Sequence, residues 1–195
     1  APSSVADMLQ RLIAADLVRL NERKEIFLTE SGRQIAEAAV RRHRLAERIL
    51  TDLLHFDWAE SHEEAHAFEH GLTPRILDRF FELLGRPQTC PHGSPIPGSG
   101  ADLSWVGLPM DRVRAGDEVV IDRVTEAGEM DHAFLRKLGK AGLLPGTRLT
   151  VVAVEPWADS LTIRLSDQTV TLRLSEAALV WVRPAARRNQ EERSA

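Results

Sequence analysis

The 195-residue chain contains a single cysteine, Cys90. An internal disulfide is therefore excluded, and a reducing setting is expected. No apolar run approaches the length of a membrane span or of a signal-peptide core, so the expectation is a cytoplasmic protein without a membrane partner. Basic excess is also missing: the net charge of -4 gives no overall cationic footprint, and any nucleic-acid contact has to come from a local patch. The first residue is alanine rather than methionine, and the Pro-Ser-Ser that follows already caps an apolar pattern, as if a beginning had been lost. With 43% hydrophobic and 28% charged residues, the composition is that of a folded protein of one or two domains.

The chain is organised around residues 61–72, Ser-His-Glu-Glu-Ala-His-Ala-Phe-Glu-His-Gly-Leu. On a helix, the spacing of His62, His66, Glu69 and His70 places all four side chains on one face. An ordinary solvated helix has no need of three imidazoles so close together, whereas a divalent cation takes neutral imidazole and carboxylate jointly. The same residues also fit H-E-x-x-H, the pattern of a zinc hydrolase using His62, Glu63 as general base and His66. The motif alone does not choose between the two readings.

Context favours the first. Ser3 or Ser4 is expected to cap a helix with Val5, Leu9, Leu12 and Ile13 at helical spacing. Two short strands then flank the polar turn Asn21-Glu22-Arg23-Lys24, giving a hairpin. Helix followed by hairpin is the second half of a winged helix-turn-helix, and Arg19, Arg23 and Lys24 suit phosphates. A long helix from Arg33 to about Leu54 carries His43 and Glu47 four residues apart. A short loop lets it pack antiparallel to the histidine helix, so that His43 and Glu47 face His62. A third helix from Thr73-Pro74 has an apolar face, including Ile76, Leu77, Phe80, Phe81 and Leu84, that suits either a core or self-association. An enzyme reading explains neither the helix-hairpin nor His43 and Glu47.

Residues 87–104 are rich in Pro, Gly and Ser and read as an irregular linker. Within it, Cys90-Pro91-His92 is weak as a metal site, because no second pair accompanies it. Beyond Trp105 come five alternating runs, near Glu118, Arg148, Leu161, Thr169 and Leu179, with one helix at about His132 to Ala141. Together they predict a small β-barrel. A polar tail, 185–195, follows.

Three segments then resemble the diphtheria-toxin-repressor family of iron- and manganese-dependent transcriptional regulators: Arg42-His43-Arg44-Leu45-Ala46-Glu47-Arg48, the histidine run from His62 to His70, and Gly93-Ser94-Pro95-Ile96-Pro97-Gly98. The stretch from Leu138 to Thr147 resembles the FeoA-type SH3-like domain that many members append. The resemblance implies an α+β protein: a partial winged helix over 1–32, a helical metal-binding and dimerisation domain over 33–86, and an SH3-like domain over 105–184. It implies an ancillary site from His43, Glu47 and His62 and a primary site from His66, Glu69 and His70, hence two sites per chain. Asp131 is the nearest barrel candidate for the ancillary site. Residues ahead of Ala1 would hold the first helices of the winged helix and a further ligand. Histidine at position 66, where iron regulators carry cysteine and a manganese regulator glutamate, leaves Fe2+ or Mn2+ open as co-repressor. The implied function is a metal-dependent repressor in metal-ion homeostasis, a homodimer on double-stranded operator DNA, with Ser3, Ser4 and Asp7 at the bases.

Overall fold

The computed structural model describes residues 4–101 and 107–185. Ser3, the end of the linker and nearly all of the tail lie outside them. Helix α1, Val5–Ala14, is closed by a reciprocal cap. The Ser4 hydroxyl accepts from the Asp7 amide at 3.1 Å, and the Asp7 carboxylate accepts from the Ser4 amide at 3.0 Å. Strands β1, Val18–Leu20, and β2, Ile26–Leu28, pair antiparallel with Val18 opposite Leu28. Their turn is held by Asn21 Oδ1, which accepts from the amides of Arg23 and Glu25. Arg19, Arg23 and Lys24 are all exposed on this hairpin.

Helix α2, Glu30–Arg48, begins three residues earlier than the sequence pattern predicts. The Thr29 hydroxyl caps it by accepting from Gly32, and Arg33 bridges Glu30 and Glu37 along the first turns. Gly32 itself abuts Leu17, the residue ahead of β1: a Cβ there would fall 1.9 Å from the Leu17 carbonyl oxygen. The hairpin therefore sits directly against the start of α2. At its other end α2 widens into a π-turn, Ile49–Leu53. Helix α3, Ser61–Phe68, follows after a loop, tightens into a 3₁₀ turn at Glu69–Gly71, and leads to α4, Pro74–Leu83, with Thr73 as cap and Pro74 at the first position. Leu45, Ala46, Ile49, Leu50, Ala65, Leu72, Leu77 and Ile96 form the core of this helical half. On the far side of α4, Ile76 and Leu83 remain exposed.

The segment predicted to be an irregular linker is tied down along its first half. Arg41 donates to the Pro97 carbonyl at 2.8 Å, Arg44 to that of Pro95, and Arg48 to those of Thr89 at 2.7 Å and Cys90 at 3.2 Å. A tight turn, with Thr89 bridged to Pro95, folds the chain back on itself. Proline and glycine favour an irregular backbone there, but three α2 guanidinium groups supply its carbonyls with donors and so hold it in place.

The C-terminal half is a six-stranded antiparallel sheet in the order β3-β8-β4-β5-β6-β7. Its strands are β3, Leu108–Pro109; β4, Glu118–Val124; β5, Arg148–Glu155; β6, Ser160–Leu165; β7, Gln168–Arg173; and β8, Val180–Pro184. Five correspond to the predicted runs; β3 has two residues and no readable period. Short helices α5, Glu126–Glu129, and α6, His132–Lys140, connect β4 to β5, and α7, Leu174–Ala177, precedes β8. Ile121, Leu135, Leu138, Leu149, Leu161 and Ile163 are among its core residues, and Ala59 and Trp58 of the helical half pack into that core. The β4 amide of Val124 donates to the His92 carbonyl at 2.9 Å.

Gly93 is the closest point of that joint. It has φ +95°, and a Cβ would lie 2.2 Å from the Asp122 carbonyl oxygen. Gly93→Ala should lower the unfolding free energy by about 1–3 kcal/mol, measured by chemical denaturation. It should also make the linker more sensitive to protease; unchanged stability and cleavage would show that the joint is loose.

Candidate metal centre

Four parts of the chain meet at one cluster, buried at its centre and exposed at His66. From α2 come His43 and Glu47, one helical turn apart. His62 and His66 come from α3, likewise one turn apart, with Glu69 on the turn that follows. The folded linker gives Cys90 and His92, and α5 gives Glu129. Glu47, His62, Cys90, His92 and Glu129 are all buried. His62 Nδ1 lies 2.9 Å from Glu47 Oε1, 3.1 Å from His43 Nε2 and 3.3 Å from Glu129 Oε2. His43 Nδ1 is 3.1 Å from Glu69 Oε2, and His92 Nδ1 is 3.4 Å from Glu47 Oε1 and 3.9 Å from Glu129 Oε2. Three donor groups each have their ligand atoms within 4.8 Å of one another: His43, His62 and His66; Glu47, His62 and Glu129; and Glu47, Cys90 and His92.

The electrostatics of this cluster are those of a cation site. Burial pushes the Glu47 carboxyl upward, but the imidazoles of His43, His62 and His92 beside it outweigh that and hold the group well below the usual carboxylate range. Burial pulls His62 downward, yet Glu129 and Glu47 raise it from 6.5 to about 10. His43 is raised as well, its burial outweighed chiefly by Glu47. Burial, then the negative charge of Glu47 and Glu129, drives the Cys90 thiol well above its ordinary value. Glu47 Oε2, His62 Nε2 and His92 Nδ1 are buried without hydrogen-bond partners, an unfavourable condition that coordination would relieve. Imidazole, carboxylate and one thiol together suit a divalent transition metal.

Of the residues singled out in the sequence, His43, Glu47, His62, His66 and Glu69 converge. His70 does not: winding tightens from α-helical to 3₁₀ at Glu69, which breaks the four-residue stripe and leaves His70 exposed. Asp131 is also elsewhere. Its carboxylate caps α6, accepting from the Phe134 amide at 3.0 Å, and the barrel group that reaches the cluster is Glu129. Cys90 and His92, given little weight in the sequence, lie in the centre. Asp7 is occupied by the α1 cap. Glu63 is largely exposed, with His132 at 3.4 Å, and lies outside the cluster.

Comparison with known proteins places this geometry in a class. Residues 29–98 match the iron dependent repressor metal-binding and dimerisation domain, and residues 108–184 match the FeoA domain. The fold is thus that of a family of metal-dependent transcriptional repressors, not of enzymes. The chain is 32% identical over 179 residues to the iron-dependent repressor IdeR of Mycobacterium leprae, covering 87% of this chain and 77% of the relative. It is 32% identical over 161 residues to the diphtheria toxin repressor of Corynebacterium efficiens, covering 76% and 68%. A solved manganese-dependent transcriptional repressor in complex with manganese superposes with a TM-score of 0.82 at 32% identity, covering 92% of this chain and 83% of that one. The chain belongs to the diphtheria toxin repressor and IdeR family.

The raised pKa of His62 gives a pH dependence of definite sign. Its stabilising contribution is complete below its ordinary value of 6.5 and is lost as pH rises through about 10. Metal-free protein should lose stability across that window, and His62→Gln should flatten the decline, as measured by denaturation at a series of pH values. If the two proteins decline in parallel, His62 does not carry the effect.

Proposed function

We propose that this repressor holds two divalent cations per chain, Mn2+ or Fe2+, and grips operator DNA as a homodimer when they are bound. The observation that carries the proposal is the convergence of donors from α2, α3, the linker and the barrel on one cluster. An ion there ties together segments that are otherwise far apart in sequence, so its binding energy becomes rigidity. One imidazole nitrogen serves one ion, and His62 Nδ1 lies between the two donor sets. We assign Glu47, Glu129, Cys90 and His92 to one ion and His43, His66 and Glu69 to the other, His62 joining either. The second set, imidazole and carboxylate without thiol, suits Mn2+ or Fe2+; in the first, two carboxylates and imidazole accommodate the same ions beside a single thiol.

The path to DNA runs along α2. Its C-terminal half carries His43 and Glu47, and its first turn abuts the hairpin through Gly32. Fixing one end of a rigid helix fixes the hairpin at the other, and pairing of two chains through Ile76, Phe80 and Leu83 of α4 would set two α1 helices at the spacing of operator half-sites. Arg19, Arg23 and Lys24 then contact phosphates, while Ser4 at the start of α1 approaches the bases. Such a protein works on DNA in the cytoplasm.

The test uses the full-length protein and duplexes selected by it from a random pool. Mn2+ or Fe2+ should tighten binding by about 5–150-fold, the usual range of such coupling. His43→Ala and His66→Ala should remove that gain while leaving the dimer intact by sedimentation. DNA affinity indifferent to metal in the unaltered protein would overturn the proposal. Zinc-dependent peptide hydrolysis that vanishes with Glu63→Ala would favour the hydrolase reading instead.

A further inference from the structure

The strongest unexplained feature is Trp58, on the loop before α3. Its indole Nε1–H donates to the Pro91 carbonyl at 3.0 Å. Its own carbonyl accepts from the Ser61 hydroxyl at 3.1 Å and lies 3.0 Å from His92 Nε2. Trp58 and the Pro91-His92 segment thus hold each other by two bonds running in opposite directions. The Trp58 and His92 rings stack at 4.8 Å with their planes 48° apart. The far side of the indole packs into the barrel core, where α6 offers Gly139: a Cβ at that position would sit 3.7 Å from Trp58 Cε3.

The Trp58 carbonyl decides which ring nitrogen of His92 carries a hydrogen. A carbonyl oxygen only accepts, so the hydrogen bond to Trp58 requires a proton on Nε2. In the neutral ring Nδ1 is then bare, and this nitrogen points toward Glu47 and Glu129 without a hydrogen-bond partner. A lone pair aimed at two buried carboxylates is unfavourable unless a second ring proton or a metal cation lies between them, and only the metal leaves the ring neutral. Metal-bound histidines commonly have the remote N–H fixed by just such a carbonyl.

We infer that Trp58 is a positioning residue of the metal centre: it holds His92 as the Nε2–H tautomer with Nδ1 turned to an ion shared with Glu47 and Glu129. Seated in the barrel core, the same indole makes the barrel's position part of that donor geometry. The inference rests on the metal reading above and assigns a residue that binds no metal itself.

Two variants approach the clamp from opposite sides. Trp58→Phe keeps a ring but removes the N–H that holds Pro91, and Gly139→Leu pushes the indole from the barrel side without touching a donor. In metal-free protein at alkaline pH, the 15N resonances of His92 should report the Nε2–H tautomer in the unaltered chain and a mixture in both variants. With Co2+ as the probe, the thiolate-to-cobalt band from Cys90 should appear in the unaltered chain, and the Co2+ concentration needed to develop it should rise about 10–100-fold in the variants. An unchanged tautomer and an unchanged Co2+ titration in folded Trp58→Phe would overturn the role of Trp58. The Nε2–H tautomer without any thiolate band in the unaltered chain would instead overturn the metal reading, and with it His92 as a donor.

Discussion

Two buried carboxylates, Glu47 and Glu129, approach the same histidine nitrogens, and this juxtaposition of like charge governs the structure. Neither group can be left ionised and unpaired away from water. In the metal-free protein a proton held on His62 offsets part of the charge, which is why that histidine is shifted so far upward. A divalent cation bound there would offset both carboxylates at once and would meet the Nδ1 nitrogen of His92. Coordination and charge neutralisation would then be a single event. The segments it recruits come from both halves of the molecule.

Helix α2 is the element through which that event can act. It carries His43 and Glu47 on one side and, at Arg41, Arg44 and Arg48, the guanidinium groups that hold the linker carbonyls. At its beginning, the absence of a side chain at Gly32 lets it lie directly on Leu17, just ahead of the hairpin. The linker in turn presents Cys90 and His92 and meets the barrel at Gly93 and Val124. A barrel displaced from this position would carry Glu129 away from His62. Docking of the barrel and completion of the donor cluster are thus two descriptions of one contact surface.

Much of the architecture was legible in the residues, since periodicity and caps are local. The Ser4 cap, the hairpin turn at Asn21, the α2 face and five strands could all be read that way, and the steps between His62, His66 and Glu69 placed them on one side of α3. What could not be read was set by contacts distant in sequence. His70 depends on where an α-helical turn tightens. Cys90 and His92 looked like an isolated pair because their companions, Glu47 and Glu129, lie about forty residues away on either side. Asp131 and Glu129 differ by two residues, but one caps α6 and the other enters the cluster; the signal was Asp131 followed by a helix, the pattern of an N-cap.

The most direct test of the account is anomalous diffraction, at the manganese edge, from crystals of the Mn2+-loaded protein. The account predicts a manganese ion bonded to carboxylate oxygens of both Glu47 and Glu129, with His62 or His92 completing its shell. Manganese bound elsewhere in the chain, with Glu47 and Glu129 still paired only to protonated histidines, would contradict it.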